Sequence, residues 1–280
     1  MIDLHMHSTA SDGSLTPSEV ARKCKEIGLE AAALTDHDTI DGIEEFMRTG
    51  AEIGLDVIRG METSVSVDAC DVHLVCLFYD PDNSVLQSEL VDMKNSRAER
   101  NFAVIDKLRG LGYDISREDF KDLGGRAIAR GHIAQVLKKR HFPDMTPKEI
   151  VHTYLDKGQI GYVRRRTPDP GKFTEIIHGA GGLVFVAHLN QIDPKDPSHG
   201  IAIFEDLVDM GVDGLETRYC EYNDFWREST EALAVKYGLL RSGGSDFHGA
   251  IKPGLNLGTG YGDLEVPYSF LEAMREKLGR

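Results

Sequence analysis

The chemistry in this chain concentrates in residues able to hold cations: His5, His7, Asp12, His37, Glu62, His73, His188, Asp246 and His248. Several lie in short fragments, His5-Met6-His7, Thr35-Asp36-His37-Asp38 and Ser245-Asp246-Phe247-His248. A His-x-His pair on a strand puts both rings on one face, because side chains alternate with a period of two. Asp246 and His248 repeat that spacing. Each fragment also has an ordinary reading. His5 and His7 could be a polar strand end, Asp12 a turn aspartate satisfying local amides, Glu62 a surface charge and His73 a satisfied core histidine. Holding all of these to be coincidental is harder than accepting one metal centre.

The donors need elements to carry them. Apolar runs precede most of the fragments: Met1–Leu4 before His5, Ala31–Leu34 before Thr35, Val57-Ile58 toward Glu62, Leu183–Ala187 before His188, and Leu239-Leu240 toward Ser245. Strands that deliver ligands at their C-terminal ends describe an α/β barrel whose mouth is a metal site. Asp71–Tyr79 reads as a further buried strand and Gly214-Leu215-Glu216 as the end of another. Thr16-Pro17-Ser18-Glu19 is a capping box that starts a helix running to Ile27, with Gly28 beyond it. A second helix spans Asp41 to Gly54, and others cover Pro170–Gly179, Ile201–Met210 and Tyr222–Tyr237. The middle reads as helix throughout, over Ser84–Leu108, Ser116–Leu123, Ile133–His141 and Thr146–Leu155. The expected organisation is therefore a barrel made from residues 1–83 and 163–280, with an α-helical insert, 84–162, over its C-terminal mouth.

Composition bounds the function. The 280 residues, 41% hydrophobic and 28% charged, suit a globular enzyme. No apolar run approaches the roughly 20 residues of a membrane span, and the N-terminus shows no basic, apolar leader, so the expected location is cytoplasmic. A formal charge of -14 argues against a stable nucleic-acid complex held by a broad basic face. It leaves room for a small phosphorylated substrate. Cys24, Cys70, Cys76 and Cys220 show no C-x-x-C spacing.

Leu4-His5-Met6-His7-Ser8, Ser11-Asp12-Gly13, Thr35-Asp36-His37-Asp38, Gly60-Met61-Glu62, Val72-His73-Leu74 and Gly244-Ser245-Asp246-Phe247-His248 together resemble the PHP (polymerase and histidinol phosphatase) family over essentially the whole chain. The resemblance implies a distorted (β/α)7 barrel and about two to three divalent ions, manganese, iron or zinc. It implies that His5, His7, Glu62 and Asp246 hold one ion, that Glu62 bridges to a second held with His73 and His188, and that Asp12, His37 and His248 hold the third. The implied reaction is hydrolysis of a phosphate ester by a metal-bound hydroxide, with Asp36 orienting a ligand or otherwise serving catalysis.

Arg130-Gly131-His132-Ile133-Ala134 is similar to an Arg-x-His-x-Ala segment of the stand-alone branch that includes 3',5'-nucleoside bisphosphate phosphatases and a 5'-to-3' RNA exonuclease. Guanidinium suits bidentate phosphate binding, and His132 could share the anion or protonate a leaving oxygen. A solvated helix start is the plainer reading of Arg130. That branch usually carries a lysine where this chain has Gln159, for which Lys157 or Arg164–Arg166 could compensate, and Asn190 stands in an altered segment after His188. The expected substrate contacts are thus Arg130, His132, Lys157, Gln159 and Asn190. Arg97 and Arg100, three apart on one helix face, read as solvated rather than as reaching the pocket. Arg164–Arg166 read as a surface patch rather than a phosphate clamp, and Trp226 with Tyr219, Tyr222 and Phe225 as packing rather than a base-stacking platform. Three activities fit: hydrolysis of a small nucleotide or sugar phosphate, opening of a cyclic sugar phosphate, and exonucleolytic trimming of short RNA. A non-enzymatic PHP module is disfavoured because every ligand position is filled, and the Arg-x-His segment points away from histidinol phosphate.

Overall fold

The computed structural model describes residues 1–123, 128 and 130–280. Seven strands follow one another in sheet order: β1 (Ile2–Asp3), β2 (Ala31–Leu34), β3 (Asp56–Val67), β4 (Cys70–Leu77), β5 (Leu183–Val186), β6 (Gly214–Tyr219) and β7 (Leu240–Gly244). A parallel bridge between Met6 and Phe247, with the Leu4 N–H donating to the Gly243 carbonyl, nearly closes the sheet into a barrel. Gly244 permits this closure, since a Cβ there would lie 2.4 Å from the His5 backbone nitrogen.

Strands β2 and β5 are buried along their whole length, as the continuous apolar runs Ala31–Leu34 and Leu183–Val186 require. Helix α1 (Pro17–Glu26) begins at the Thr16 capping box and α2 (Ile43–Ile53) ends on left-handed Gly54. Their apolar faces, through Val20, Cys24, Ile43 and Phe46, pack with Met6, Ala32 and Leu34 in one core. Helices α6 (Pro170–Gly179), α7 (Pro197–Asp209), α8 (Asp224–Tyr237) and α9 (Tyr268–Lys277) complete this unit. The last of these was not apparent from sequence.

The chain divides into two compact units, Met1–Ser88 with Pro168–Arg280, and Glu89–Thr167. The second holds most of α3 (Ser84–Gly110), a 3-10 turn (Arg117–Leu123), α4 (Arg130–Arg140), and the short α5 (Pro147–Ile150), which runs into a π-helical turn, Val151–Leu155. It has its own core, with Ile105, Leu108, Phe120, Ile133, Leu137 and Leu155 among its buried residues.

One expectation needs correcting. Not every donor sits at the C-terminal end of a parallel strand. β4 runs antiparallel to both β3 and β5, and Glu62 and His73 face the same side of a long β3–β4 hairpin. Reversal of β4 brings its early residues, not its late ones, to the mouth.

Candidate metal centre

All nine candidate donors come together at the mouth of the barrel unit, most of them buried. Glu62 is the hub. Its Oε1 lies 2.8 Å from both His73 Nδ1 and His188 Nε2. Its Oε2 lies 3.2 Å from His5 Nε2, 3.1 Å from His7 Nε2 and 3.0 Å from His37 Nδ1. Asp246 Oδ1 faces His7 Nε2 at 3.3 Å and His248 Nδ1 at 3.4 Å. Half-exposed Asp12 reaches His248 Nε2 at 3.4 Å and His37 Nε2 at 4.0 Å.

Donor atoms near enough to share a cation form four overlapping sets: His5, His7 and Asp246; His5, Glu62 and His188; His37, Glu62 and His73; and His7, Asp12, His37 and His248. His73 and His188 meet at the same Glu62 oxygen, with their ring centroids 5.0 Å apart, and His5, His7 and His37 each belong to two sets. Glu62 spans its sets in the manner of a bridging carboxylate.

The environment fits bound cations. His5 Nε2, both ring nitrogens of His7 and Glu62 Oε2 are buried and lack a partner in hydrogen-bond geometry among the described residues. Buried polar atoms are ordinarily satisfied, so several convergent orphans mark a place for a charge the protein does not itself supply. Burial pushes His37 down to about 3, reinforced by His7 and His73 against the pull of Glu62 and Asp12. That imidazole is a neutral donor at physiological pH. Burial acts the same way on His7 but is overcome by Asp246 and Glu62, which carry it up to about 9. Glu62 and Asp246 are held well below the carboxylate range: burial opposes ionisation, and the surrounding imidazoles outweigh it.

The backbone is bent to present these groups. His188, with φ 27, and Asp246, with φ 53, occupy the left-handed region that non-glycine residues avoid, as does Asp38 with φ 55. Contacts behind the donors fix them. Glu216 Oε1 meets His5 Nδ1 at 2.8 Å, while its Oε2 accepts the His188 N–H at 2.7 Å. Asp246 Oδ2 accepts from Tyr219 Oη at 3.0 Å and from Lys252 Nζ at 2.6 Å. Buried Asp3 accepts from the Ser245 N–H, the Ser245 hydroxyl and the Gly258 N–H. Sequence reasoning passed over Glu216, Asp3 and Lys252, and read Tyr219 as packing rather than as a partner of Asp246. For Glu216 a signal existed, a carboxylate ending an apolar strand at Gly214-Leu215-Glu216.

Asp36 lies beside the site in a role other than chemistry. It accepts from the Ser8 N–H at 2.8 Å, the Ser8 hydroxyl at 2.6 Å and the Ser11 hydroxyl at 2.5 Å. Both oxygens are thus engaged in fixing the segment that carries His7 and Asp12, which makes Asp36 a positioning residue. Asn190 is half-buried in the turn after His188, and its Oδ1 is buried with no hydrogen-bond partner among the described residues.

The remaining expected contacts belong to the helical unit. Arg130 opens α4, is exposed, and donates from Nη1 to Asp156 Oδ1 at 2.9 Å. His132, two residues further on, is half-buried, and Lys157 and Gln159 are exposed. The solvated reading of Arg97 and Arg100 does not hold. Both are half-buried, and burial together with neighbouring Arg130, Arg97 and Arg165 pushes the Arg100 guanidinium down to about 10. Arg164 and Arg166 are exposed while Arg165 turns inward. Four guanidinium groups gathered this way repel one another and favour an anion between them. Trp226 is buried, and Tyr222 accepts the Leu189 N–H, so these aromatics pack as expected.

A seven-stranded barrel with a buried cluster of imidazoles around a bridging glutamate defines a metal-dependent phosphoesterase. The PHP domain family matches residues 3–157, and the chain belongs to that family. Among its relatives, a 5'-3' exoribonuclease of Haemophilus influenzae is 32% identical over 91% of this chain and 93% of its own. A 3',5'-nucleoside bisphosphate phosphatase of Chromobacterium violaceum is 29% identical over 92% and 90% respectively. A solved structure from Bifidobacterium adolescentis, described as a metal-dependent phosphoesterase, superimposes with a TM-score of 0.84 and 26% identity, covering 100% of this chain and 98% of that one. Among the described residues no helix is long and apolar enough to cross a membrane.

Proposed function

We propose that this enzyme removes a phosphoryl group from a small phosphorylated metabolite, a nucleotide or sugar phosphate, and that the arginine group of the helical unit binds phosphate. The observation that carries this reading is the pairing of two chemistries in one chain: a buried donor cluster centred on Glu62 and a partly buried group of arginines around Arg100. Manganese, iron or zinc held by His5, His7, Asp12, His37, Glu62, His73, His188, Asp246 and His248 would supply Lewis acidity toward a phosphoryl oxygen and toward water.

The protein's own residues do the rest. Glu216 fixes the His5 ring by its Nδ1, so the other nitrogen faces Glu62 and Asp246. Tyr219 and Lys252 hold one oxygen of Asp246 and leave the other directed at His7 and His248. Arg130 and His132 act on the substrate's phosphate, with Asp156 keeping the Arg130 fork oriented until substrate arrives. Lys157 and Gln159 on the helical unit, and Asn190 on the barrel unit, are further contacts to substrate. Gln159 is neutral, and Arg165 supplies the charge a lysine would otherwise bring.

A second reading, trimming of RNA from its 5' end, is favoured by the similarity to the Haemophilus influenzae exoribonuclease. The formal charge of -14 disfavours a long polyanion. Phosphate release from 3',5'-bisphosphonucleotides, nucleoside monophosphates, cyclic sugar phosphates and short 5'-phosphorylated RNA, with manganese-loaded enzyme, separates the two. Preference for a bisphosphonucleotide supports the metabolite reading. Nucleotide-by-nucleotide shortening of RNA, with turnover falling steeply as salt rises, supports the other. Absence of phosphate release from every substrate would overturn both.

A further inference from the structure

A second group of metal-binding donors lies outside the Glu62 cluster. Cys70, Asp193 and His199 each offer a ligand atom, and these atoms lie within 4.8 Å of one another. Cys70 opens β4 at the tip of the β3–β4 hairpin, directly across from Val67. Asp193 and His199 lie on the segment that leads from His188 into α7. More than a hundred residues of chain separate the thiol from the other two groups, so their meeting is tertiary.

The hairpin's own register keeps this group apart from the first. His73 pairs with Ser64 and shares a face with Glu62, while Cys70, three residues before His73, points to the opposite face. One face of the hairpin thus serves the Glu62 cluster and the other carries the thiol. The two-residue turn between the strands is unusual: Asp68 and Ala69 both adopt positive φ, 45 and 64, where Asn-Gly would be at ease. The facing segment is rigid. Asp193 Oδ1 accepts from the Lys195 and Asp196 N–H groups at 3.1 Å each, which leaves Oδ2 aimed at His199 Nδ1, 2.8 Å away. Pro194 and Pro197 restrict the backbone between them. Asp196 caps α7 through the Ser198 and His199 N–H groups. Asp193, Asp196 and Asp68 surround His199 with negative charge and raise its pKa against desolvation. A half-buried thiol beside a fixed carboxylate–imidazole pair, in a negative field, is a site for a cation that accepts sulfur.

We propose that Cys70, Asp193 and His199 form a separate thiolate-containing site for zinc or a similar borderline divalent ion, tying the hairpin tip to the segment that follows His188. Asp68 or water completes its coordination. The thiol proton leaves to solvent as the ion binds. Because β3 and β4 carry Glu62 and His73, and the tied segment begins at His188, the ion braces three donors of the catalytic cluster from behind. The donor sets differ in one decisive way: the catalytic cluster contains no cysteine.

Cobalt(II) reads that difference directly, since a thiolate ligand gives a near-ultraviolet charge-transfer band that imidazole and carboxylate do not. Metal-free full-length protein titrated with cobalt to saturation should develop this band. Cys70→Ser should abolish it, and His199→Ala should weaken cobalt binding at the band about 10-fold or more. Cys220→Ser, a buried thiol near Asp246, should leave it intact. A far-ultraviolet circular dichroism spectrum of metal-free Cys70→Ser that matches the wild type shows that the variant is folded. The proposal is overturned if saturated wild-type protein shows no thiolate band, if the band survives in Cys70→Ser, or if it vanishes in Cys220→Ser instead.

Discussion

The barrel unit and the helical unit solve opposite electrostatic problems. The barrel gathers imidazoles and carboxylates where water is scarce, with His5, His7 and Glu62 wholly buried. Such a cluster is tolerable because the chain fixes several donors from behind, through Glu216, Asp3, Asp36, Tyr219 and Lys252, and because cations can complete it. The helical unit gathers half-buried and exposed guanidinium groups, of which Arg130 donates to Asp156. On the proposed function the cation site is built from buried donors and the phosphate contacts stay accessible. Mutations should therefore act in different kinetic terms in the two units.

The largest effects belong to the donor cluster. Asp246→Ala and His37→Ala should each reduce phosphate release to the background of the metal-free protein, measured at saturating manganese. A wild-type rate in either variant would break the idea of a shared cluster. Glu216→Gln should come next. It removes charge from behind His5 and His188 while keeping the shape, so metal affinity should fall about 10- to 100-fold. Excess manganese should restore most of the turnover, as it would not for Asp246→Ala.

Much of the barrel unit could be read beforehand because its donors end or follow apolar runs, and a strand end is a legible place. The Thr16 capping box and the Pro170–Gly179 helix were equally plain, since caps act within a few residues. What escaped reading depended on pairing across the chain. The direction of β4 follows from its hairpin with β3, and nothing within Asp71–Tyr79 records it. Glu216 is ordinary until folding sets it between His5 and His188. The arginines fared worst: Arg97 and Arg100, three apart on one helix, look solvated until Arg130 and Arg165 arrive from distant positions.

For the helical unit the expected effect is smaller and falls on binding. Arg130→Ala should lower kcat/KM for bisphosphorylated substrates by about 10-fold, in keeping with loss of one charge-assisted contact. The loss should shrink for substrates with a single phosphate. Asp156→Asn sharpens the comparison by releasing the Arg130 fork without removing it, and its KM should change less than that of Arg130→Ala. Equal losses for mono- and bisphosphorylated substrates would remove Arg130 from recognition of the second phosphate.

The smallest effect concerns stability of the helical unit alone. Arg140 donates to both oxygens of Asp119, at 3.0 Å from Nη1 and 2.5 Å from Nη2, and this pairing depresses the Asp119 pKa against a small desolvation cost. A carboxylate depressed in the folded state stabilises above its unfolded pKa, and that contribution fades as pH falls through the lower, folded value. At neutral pH Arg140→Ala should lower Tm by about 1–3 °C, a modest value because Arg140 is exposed and its charge is screened by solvent. The gap between variant and wild type should narrow as the solution is acidified below the ordinary aspartate range, because protonated Asp119 no longer distinguishes them. Metal-dependent turnover should be untouched at neutral pH. A Tm difference that persisted unchanged in acid would mean that Arg140 stabilises the unit through the packing of its aliphatic stem and its contact with the Asp114 carbonyl rather than through charge.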